Sequence, residues 1–207
     1  MAITHKLRFH FIHLFVLTWV LSGSLAAQSW NFIREQDGIK IYTRQEAGKS
    51  LRAFKGTAII NAPAEKVFTL IEDVNHTAWW DKNLTQIKVL AYEKNKRARY
   101  YLVYDTPWPV ANRDLCVEVT VSMDPEKRIY AVVAASLTGV IPEQKNLVRI
   151  KDYRQTWTVS SAGENSSNVV LEGYLDPVGH IPVWISNMLI IQTPFNSILG
   201  VRQQMLN

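Results

Sequence analysis

Along most of the chain, apolar and polar residues alternate in short runs bounded by turn-forming residues, which is the period of half-buried β-strands. Residues 39–43 and 52–60 predict a first strand pair joined across Gly48. At Pro63 the period changes. Glu65 follows the proline, and Val67, Phe68, Ile71 and Val74 fall at helical spacing, so a helix is predicted there, with a short helical turn added over 76–80. Alternation returns at 85–92 and 97–104, around the charged turn Glu93-Lys94-Asn95-Lys96, and at 114–123 and 128–136, around Asp124-Pro125. Two further strands are predicted over 148–160 and 168–176. Strands joined by short turns predict an antiparallel meander.

From Pro182 the period is helical again. Trp184, Ile185, Met188, Leu189 and Ile191 make a wide apolar face that should lie buried across a sheet. Pro194 lacks a backbone donor and should kink this helix or end its first half. An antiparallel sheet with one helix near the front and a long one at the end is an α+β layout. No internal repeat, low-complexity tract or long linker divides it.

Composition adds capacity to this picture. The 207 residues are 47% hydrophobic and 20% charged, enough apolar material for one sizeable core. Seven tryptophans within an aromatic share of 11% supply rings both for that core and for the wall of an apolar pocket.

The first 27 residues follow a different rule. Lys6 and Arg8 precede an apolar run over 11–21, and Ser24, Leu25, Ala26 and Ala27 follow it. That is the order of a secretory signal peptide cleaved after Ala26 or Ala27. The run is short of the roughly 20 residues that span a bilayer, so an uncleaved anchor is the weaker alternative. The expected division is a signal peptide, 1–27, and one folded domain, 28–207. Removing Lys6 and Arg8 lowers the formal charge by two from +5. Cys116 is the lone cysteine and can form no intramolecular disulfide, which favours a bacterial periplasm over a disulfide-stapled secreted domain.

Alternation singles out one charged residue. Leu115, Val117, Val119 and Val121 share a face of their strand, and Asp114, Cys116, Glu118 and Thr120 share the other. Arg113 is in register with the apolar, inward set. A buried guanidinium needs partners. Two readings stay open: a structural ion pair at the strand's mouth, for instance with Asp105, or a polar hook for a ligand's hydroxyl or head group. Trp157, in step with Tyr153 and Gln155, and Leu171, in step with Val169 and Leu175, are further inward positions.

Three segments resemble the START (steroidogenic acute regulatory protein-related lipid transfer) family. They are Thr106-Pro107-Trp108-Pro109-Val110-Ala111-Asn112-Arg113-Asp114, Ile141-Pro142-Glu143-Gln144-Lys145 with Val148 and Arg149 beyond, and Asp176-Pro177-Val178-Gly179-His180-Ile181-Pro182-Val183-Trp184. They occur in the family's order, and Trp80 with Val89-Leu90 resembles a fourth element. The resemblance implies a helix-grip fold: a curved antiparallel sheet wrapped around the C-terminal helix, with a hydrophobic tunnel between them. It implies a single hydrophobic ligand, such as a lipid or sterol, carried between membranes or partners. The expected ligand-binding set is Arg113, Trp80, Tyr101, Leu115, Val117, Trp157, Leu171, Trp184, Met188 and Ile191. Pro107, Trp108, Pro109 and Pro194 are the expected gate or membrane contact, since tryptophan favours the membrane interface.

The residues offer little to catalysis. His5, His10 and His13 lie in the leader, which leaves His76 and His180, neither at metal-ligand spacing. No phosphate-binding glycine loop or nucleophile motif occurs, so no cofactor or metal is expected. The alternative function is a cavity enzyme of the helix-grip type, a cyclase or isomerase working through Asp105, Tyr101 or Arg113. The expected partners are a hydrophobic small molecule and, transiently, a membrane surface. No nucleic-acid-binding module occurs, and a monomer is expected.

Overall fold

The computed structural model describes residues 29–77 and 79–206; the leader expected over 1–27 lies outside them. Among the described residues, ten strands form one curved, mainly antiparallel sheet. They are β1 (Asn31–Gln36), β2 (Ile39–Arg44), β3 (Ala53–Ile60), β4 (Leu84–Glu93), β5 (Arg97–Tyr104), β6 (Arg113–Asp124), β7 (Ile129–Ser136), β8 (Val148–Arg149), β9 (Asp152–Gly163) and β10 (Ser166–Asp176). The order across the sheet is β1-β2-β3-β10-β9-β7-β6-β5-β4, with β8 alongside the start of β6. Helix α1 (Ala64–Glu72) follows β3, and α2 (Val183–Asn187), a π-helical segment (Met188–Gln192) and α3 (Thr193–Leu206) follow β10. This is the helix-grip arrangement.

Both long helices pack on the concave face, but they cover only part of it. Helix α1 inserts Val67, Phe68 and Ile71 over β7 and β9, with Phe68 stacked on Tyr130 at 4.9 Å. Helix α3 inserts Phe195, Ile198 and Val201 over β2, β3 and β10. Two glycines admit it. At Gly56 an added Cβ would stand 2.6 Å from Ile198 Cδ1, and at Gly200 one would stand 2.7 Å from the backbone oxygen of Trp79. Leu171 pairs with Gly56 across β10 and β3 and is fully covered, so it belongs to this core. Strands β5 and β6 turn their inward residues to a separate apolar cluster that neither long helix fills.

Several expectations change. Strand β1 was absent from the pattern because almost all of it is exposed at the sheet edge, so its two faces carry no contrast. Where a helical turn is expected over 76–80, the described residues carry no helix, and the Trp80 N–H donates to Thr77 O at 2.9 Å. The strand expected over 148–160 is two: β8 runs parallel to the start of β6, and β9 then pairs with β7. Pro194 neither breaks the final helix nor stands at a mouth. The turn before it widens, with the Thr193 N–H reaching Met188 O, five residues back, and Pro194 is buried over β3 beside Gly56.

The first part of the outward face of β6 is not solvated as the alternation implied. The segment over 137–147 covers it, burying Tyr101, Val103 and Cys116 with Leu137, Ile141 and Leu147. Asp114, fully buried there, accepts 2.8 Å hydrogen bonds from Arg149 Nε and Nη2 and from Tyr101 Oη. Arg149 also donates to Ile141 O at 2.9 Å. Burial raises the Asp114 pKa, yet the bonds from Arg149 and Tyr101 outweigh it and hold the carboxyl below the usual aspartate value.

This packing sets three expectations. Gly200→Ala should destabilise the protein by about 1–3 kcal/mol by overpacking against Trp79, although alanine is the better helix former by about 1 kcal/mol. Denaturant midpoints measure this. Arg149→Met, which leaves Asp114 without its cation, should cost about 3–5 kcal/mol, and adding Asp114→Leu should recover much of it. Because the folded-state pKa of Asp114 is lowered, the pair stabilises fully above the unfolded value of about 3.9 and loses effect as pH falls through the folded value. Wild-type stability should therefore drop on that acid limb, and the Asp114→Asn variant should lack this component.

Candidate ligand-binding cavity

The uncovered part of the concave face bounds a cavity of about 200 Å³. Strand register decides which side chains reach it. On β6 the inward residues are Arg113, Leu115, Val117, Val119 and Val121, and all five line the cavity. Their partners on β5 are Tyr104, Leu102, Tyr100 and Ala98, opposite Arg113, Leu115, Val117 and Val119. Val132, Tyr153, Gln155 and Trp157 continue the wall on β7 and β9, and Ile71, Ile185, Met188 and Leu189 close it from the helices.

Aromatic contacts stiffen one side. Trp80 meets Tyr100 edge-on at 5.5 Å and Trp79 at 6.0 Å, and Trp79 meets Trp157 at 5.6 Å. Burial pushes the phenols of Tyr100, Tyr104 and Tyr153 well above the usual tyrosine value, so they are hydrogen-bond donors at neutral pH. Tyr153 donates to Gln155 Oε1 at 2.6 Å.

Arg113 sits at the mouth, 6% exposed. It makes no ion pair with Asp105 or any other carboxylate among the described residues, so the ion pair expected at the strand's mouth is not formed. Instead Nε donates to Pro177 O and Nη2 to Val178 O, both at 3.2 Å, and Nη1 donates to Ala111 O. The bond to Ala111 reaches the loop just before β6, and those to Pro177 and Val178 tie the start of β6 to the loop after β10. That loop holds Val178 at φ 60°, a left-handed conformation that β-branched residues rarely adopt. Burial lowers the Arg113 pKa, and two of the five guanidinium N–H groups have no partner among the described residues. A buried cation with spare donors facing an apolar space can orient an oxygen-bearing head group.

Of the expected binding residues, the fold brings Arg113, Trp80, Leu115, Val117, Trp157 and Met188 together on the cavity wall. Four lie elsewhere. Tyr101 is on the opposite face of β5, bonded to Asp114. Leu171 is under α3, and Ile191 packs against the main core. Trp184 points outward, 51% exposed, and its neighbour Ile185 takes the buried position. Pro107, Trp108 and Pro109 are all exposed, Trp108 at 90%, on a loop whose flanking residues Thr106 and Val110 line the mouth. The trio Asp105, Tyr101 and Arg113 does not converge, because Tyr101 faces away. Among the described residues no cluster of three His, Cys, Asp or Glu side chains could hold a metal. The wall residues missed from the sequence include Glu72, Trp79, Tyr92, Tyr100 and Tyr104. Tyr100 and Tyr104 were within reach of a register argument, since they lie opposite Val117 and Arg113.

Comparison with known proteins agrees with this architecture. The profile of the family described as polyketide cyclase / dehydrase and lipid transport matches residues 52–193. An uncharacterized Pseudomonas aeruginosa protein is 28% identical over 182 residues, covering 88% of this chain and 89% of its own. The mouse phosphatidylcholine transfer protein is 26% identical over 170 residues, covering 79% of this chain and 78% of its own. The crystal structure of a STAR-related lipid transfer protein fragment from Xanthomonas axonopodis superposes with a TM-score of 0.75 at 26% identity, covering 86% of this chain and 99% of the fragment. The chain therefore belongs to the polyketide cyclase / dehydrase and lipid transport family, as a START-type member with the helix-grip fold.

Proposed function

We propose that this protein binds one hydrophobic ligand of the lipid or sterol class in the cavity and carries it between membranes, without chemical change to it. The observation that carries this reading is the apolar cavity with an unpaired, buried Arg113 at its mouth. Relatives named for phosphatidylcholine transfer and STAR-related lipid transfer support it. Burying an acyl chain there would gain about 0.8 kcal/mol per methylene. The volume of about 200 Å³ is small beside the roughly 300–1,000 Å³ of small-molecule sites, so a lipid enters as the wall opens. The segments that would have to move are those at the mouth, the 107–109 loop and the start of the terminal helix.

These two segments also present apolar side chains to solvent. Trp108 is 90% exposed, Val183 76% and Trp184 51%, and the nearby residues Val110 and Ile181 both line the cavity. An aromatic rim around the mouth suits transient contact with a bilayer interface. The leader expected over 1–27 would place this activity outside the cytoplasm, in a bacterial periplasm. The cavity-enzyme alternative keeps one support, the cyclase and dehydrase members of the same family.

Native mass spectrometry of protein expressed from Met1 in a bacterial host, followed by organic extraction, tests both readings. A stoichiometric, unmodified lipid on a monomer is expected, on a chain beginning at residue 27 or 28. Empty protein that takes up no member of a lipid panel would refute the carrier function, and an altered lipid would establish the enzyme. Arg113→Leu should cost about 1–3 kcal/mol of stability for the unpaired carbonyls and should change the ratio of bound lipids. A proportional loss of all ligands would leave Arg113 a structural role only. Trp108→Ala should leave the melting temperature unchanged and slow transfer between vesicles several-fold; an unchanged rate would remove Trp108 from membrane contact.

A further inference from the structure

The cavity has a second polar end, remote from Arg113. Tyr104 lies opposite Arg113, and Ala98, further along β5, lies opposite Tyr92 of β4. About six residues of strand separate the two levels, on the order of 20 Å. Leu115, Val117, Val119 and Trp157 make the interval apolar.

At the far level the Glu72 side chain lines the cavity, although the residue is only 8% exposed. Its one hydrogen bond among the described residues comes from Tyr92 Oη at 3.5 Å, too long to be strong. Arg97, on the same wall, pairs with Glu93 at 3.5 Å, and the His76 ring bonds Asp73 at 2.5 Å, so neither is bonded to Glu72. Glu72 also ends α1, whose last turn holds no basic residue, so the negative end of the helix opposes its charge. A buried carboxylate with no strong donor is costly. The same wall carries two more groups without a partner among the described residues, the indole N–H of Trp79 and that of Trp80. Arg113 is a cation without a carboxylate, and Glu72 is a carboxylate without a cation, at opposite ends of one apolar space.

We propose that the cavity selects an amphiphile that is polar at both ends, with an acidic or oxygen-bearing head at Arg113 and a hydroxyl group at the remote end donating to Glu72. The inference rests on the cavity being the ligand site. A simple alkyl terminus would leave the carboxylate desolvated and unpaired, whereas a hydroxyl satisfies it. A hydrogen bond to a charged group raises affinity about tenfold or more.

The test is binding of three probes to the purified full chain after delipidation: hexadecanoic acid, ω-hydroxyhexadecanoic acid and ω-methoxyhexadecanoic acid. The hydroxy acid should bind about tenfold tighter than the plain acid, and the methoxy acid, which has an oxygen but no donor, should show no such gain. Glu72→Leu should invert the preference in favour of the plain acid, and Glu72→Gln, which keeps the shape but loses the charge, should reduce it. Hexadecanoic acid bound as tightly as its hydroxy derivative overturns the far-end site and leaves the carrier function standing. Equal gains for hydroxy and methoxy probes overturn the donor requirement without recourse to any variant. A preference that survives in both variants removes Glu72 from the site. Failure of all three probes to bind overturns this inference, and the carrier reading falls with it only where the lipid panel also fails to bind.

Discussion

The concave face of a long curved sheet must be covered, and here the helices available cover only part of it. Helix α3 lies over β2, β3 and β10, and α1 lies over β7 and β9. The close approach of α3 depends on Gly56 and Gly200, where a single methyl group would meet Ile198 or the Trp79 backbone. Once the helices are seated there, the inward residues along β5 and at the start of β6 lie beyond both long helices. Their apolar surface remains turned to an unfilled space, and each square ångström of it that a ligand covers is worth about 25 cal/mol. The binding site is the part of the core that the chain does not complete.

Strand alternation then divides labour between adjacent residues of β6. Arg113 faces the cavity and spends three of its donors on the carbonyls of the loops around the mouth. Asp114 faces the other way, fully buried, and is paired with Arg149 and Tyr101 under the 137–147 segment. The outer pair is complete and anchors the covering loop and β8. The inner cation is held in place but electrostatically unpaired, a state suited to a ligand's head group. Neighbours in sequence thus have opposite fates, because the pleat points them to opposite sides.

Much of this was legible along the chain. Strands β2 to β7 and β10 and helix α1 appear where alternation or helical spacing is clear, and the inward set of β6 was read correctly from its own pattern. Legibility failed where contrast failed. In β5 the run Tyr100, Tyr101, Leu102, Val103 and Tyr104 is apolar or aromatic at every position, so period two has nothing to mark the inward face. The choice of Tyr101 was one residue out, which on a strand means the wrong side of the sheet. Trp184 was likewise one residue from Ile185 on a helix whose apolar face is wide. Leu171 has the right alternation, yet whether it meets a helix or empty space depends on where α3 lies.

The sequence by itself determined the class of fold, the order of its elements and the residues able to face inward, because these follow from local period, from proline and from short turns. It also determined that a charged residue would share the apolar face of β6. Only the tertiary structure decided which inward residues are core and which are wall, because that depends on how far two helices extend across a sheet assembled from distant segments. It decided that Arg113 bonds carbonyls rather than Asp105, and that Glu72, at the end of an ordinary amphipathic helix, shares a cavity with residues of β4 and β6. Partnership between charges is a matter of long-range geometry, and local pattern holds no record of it.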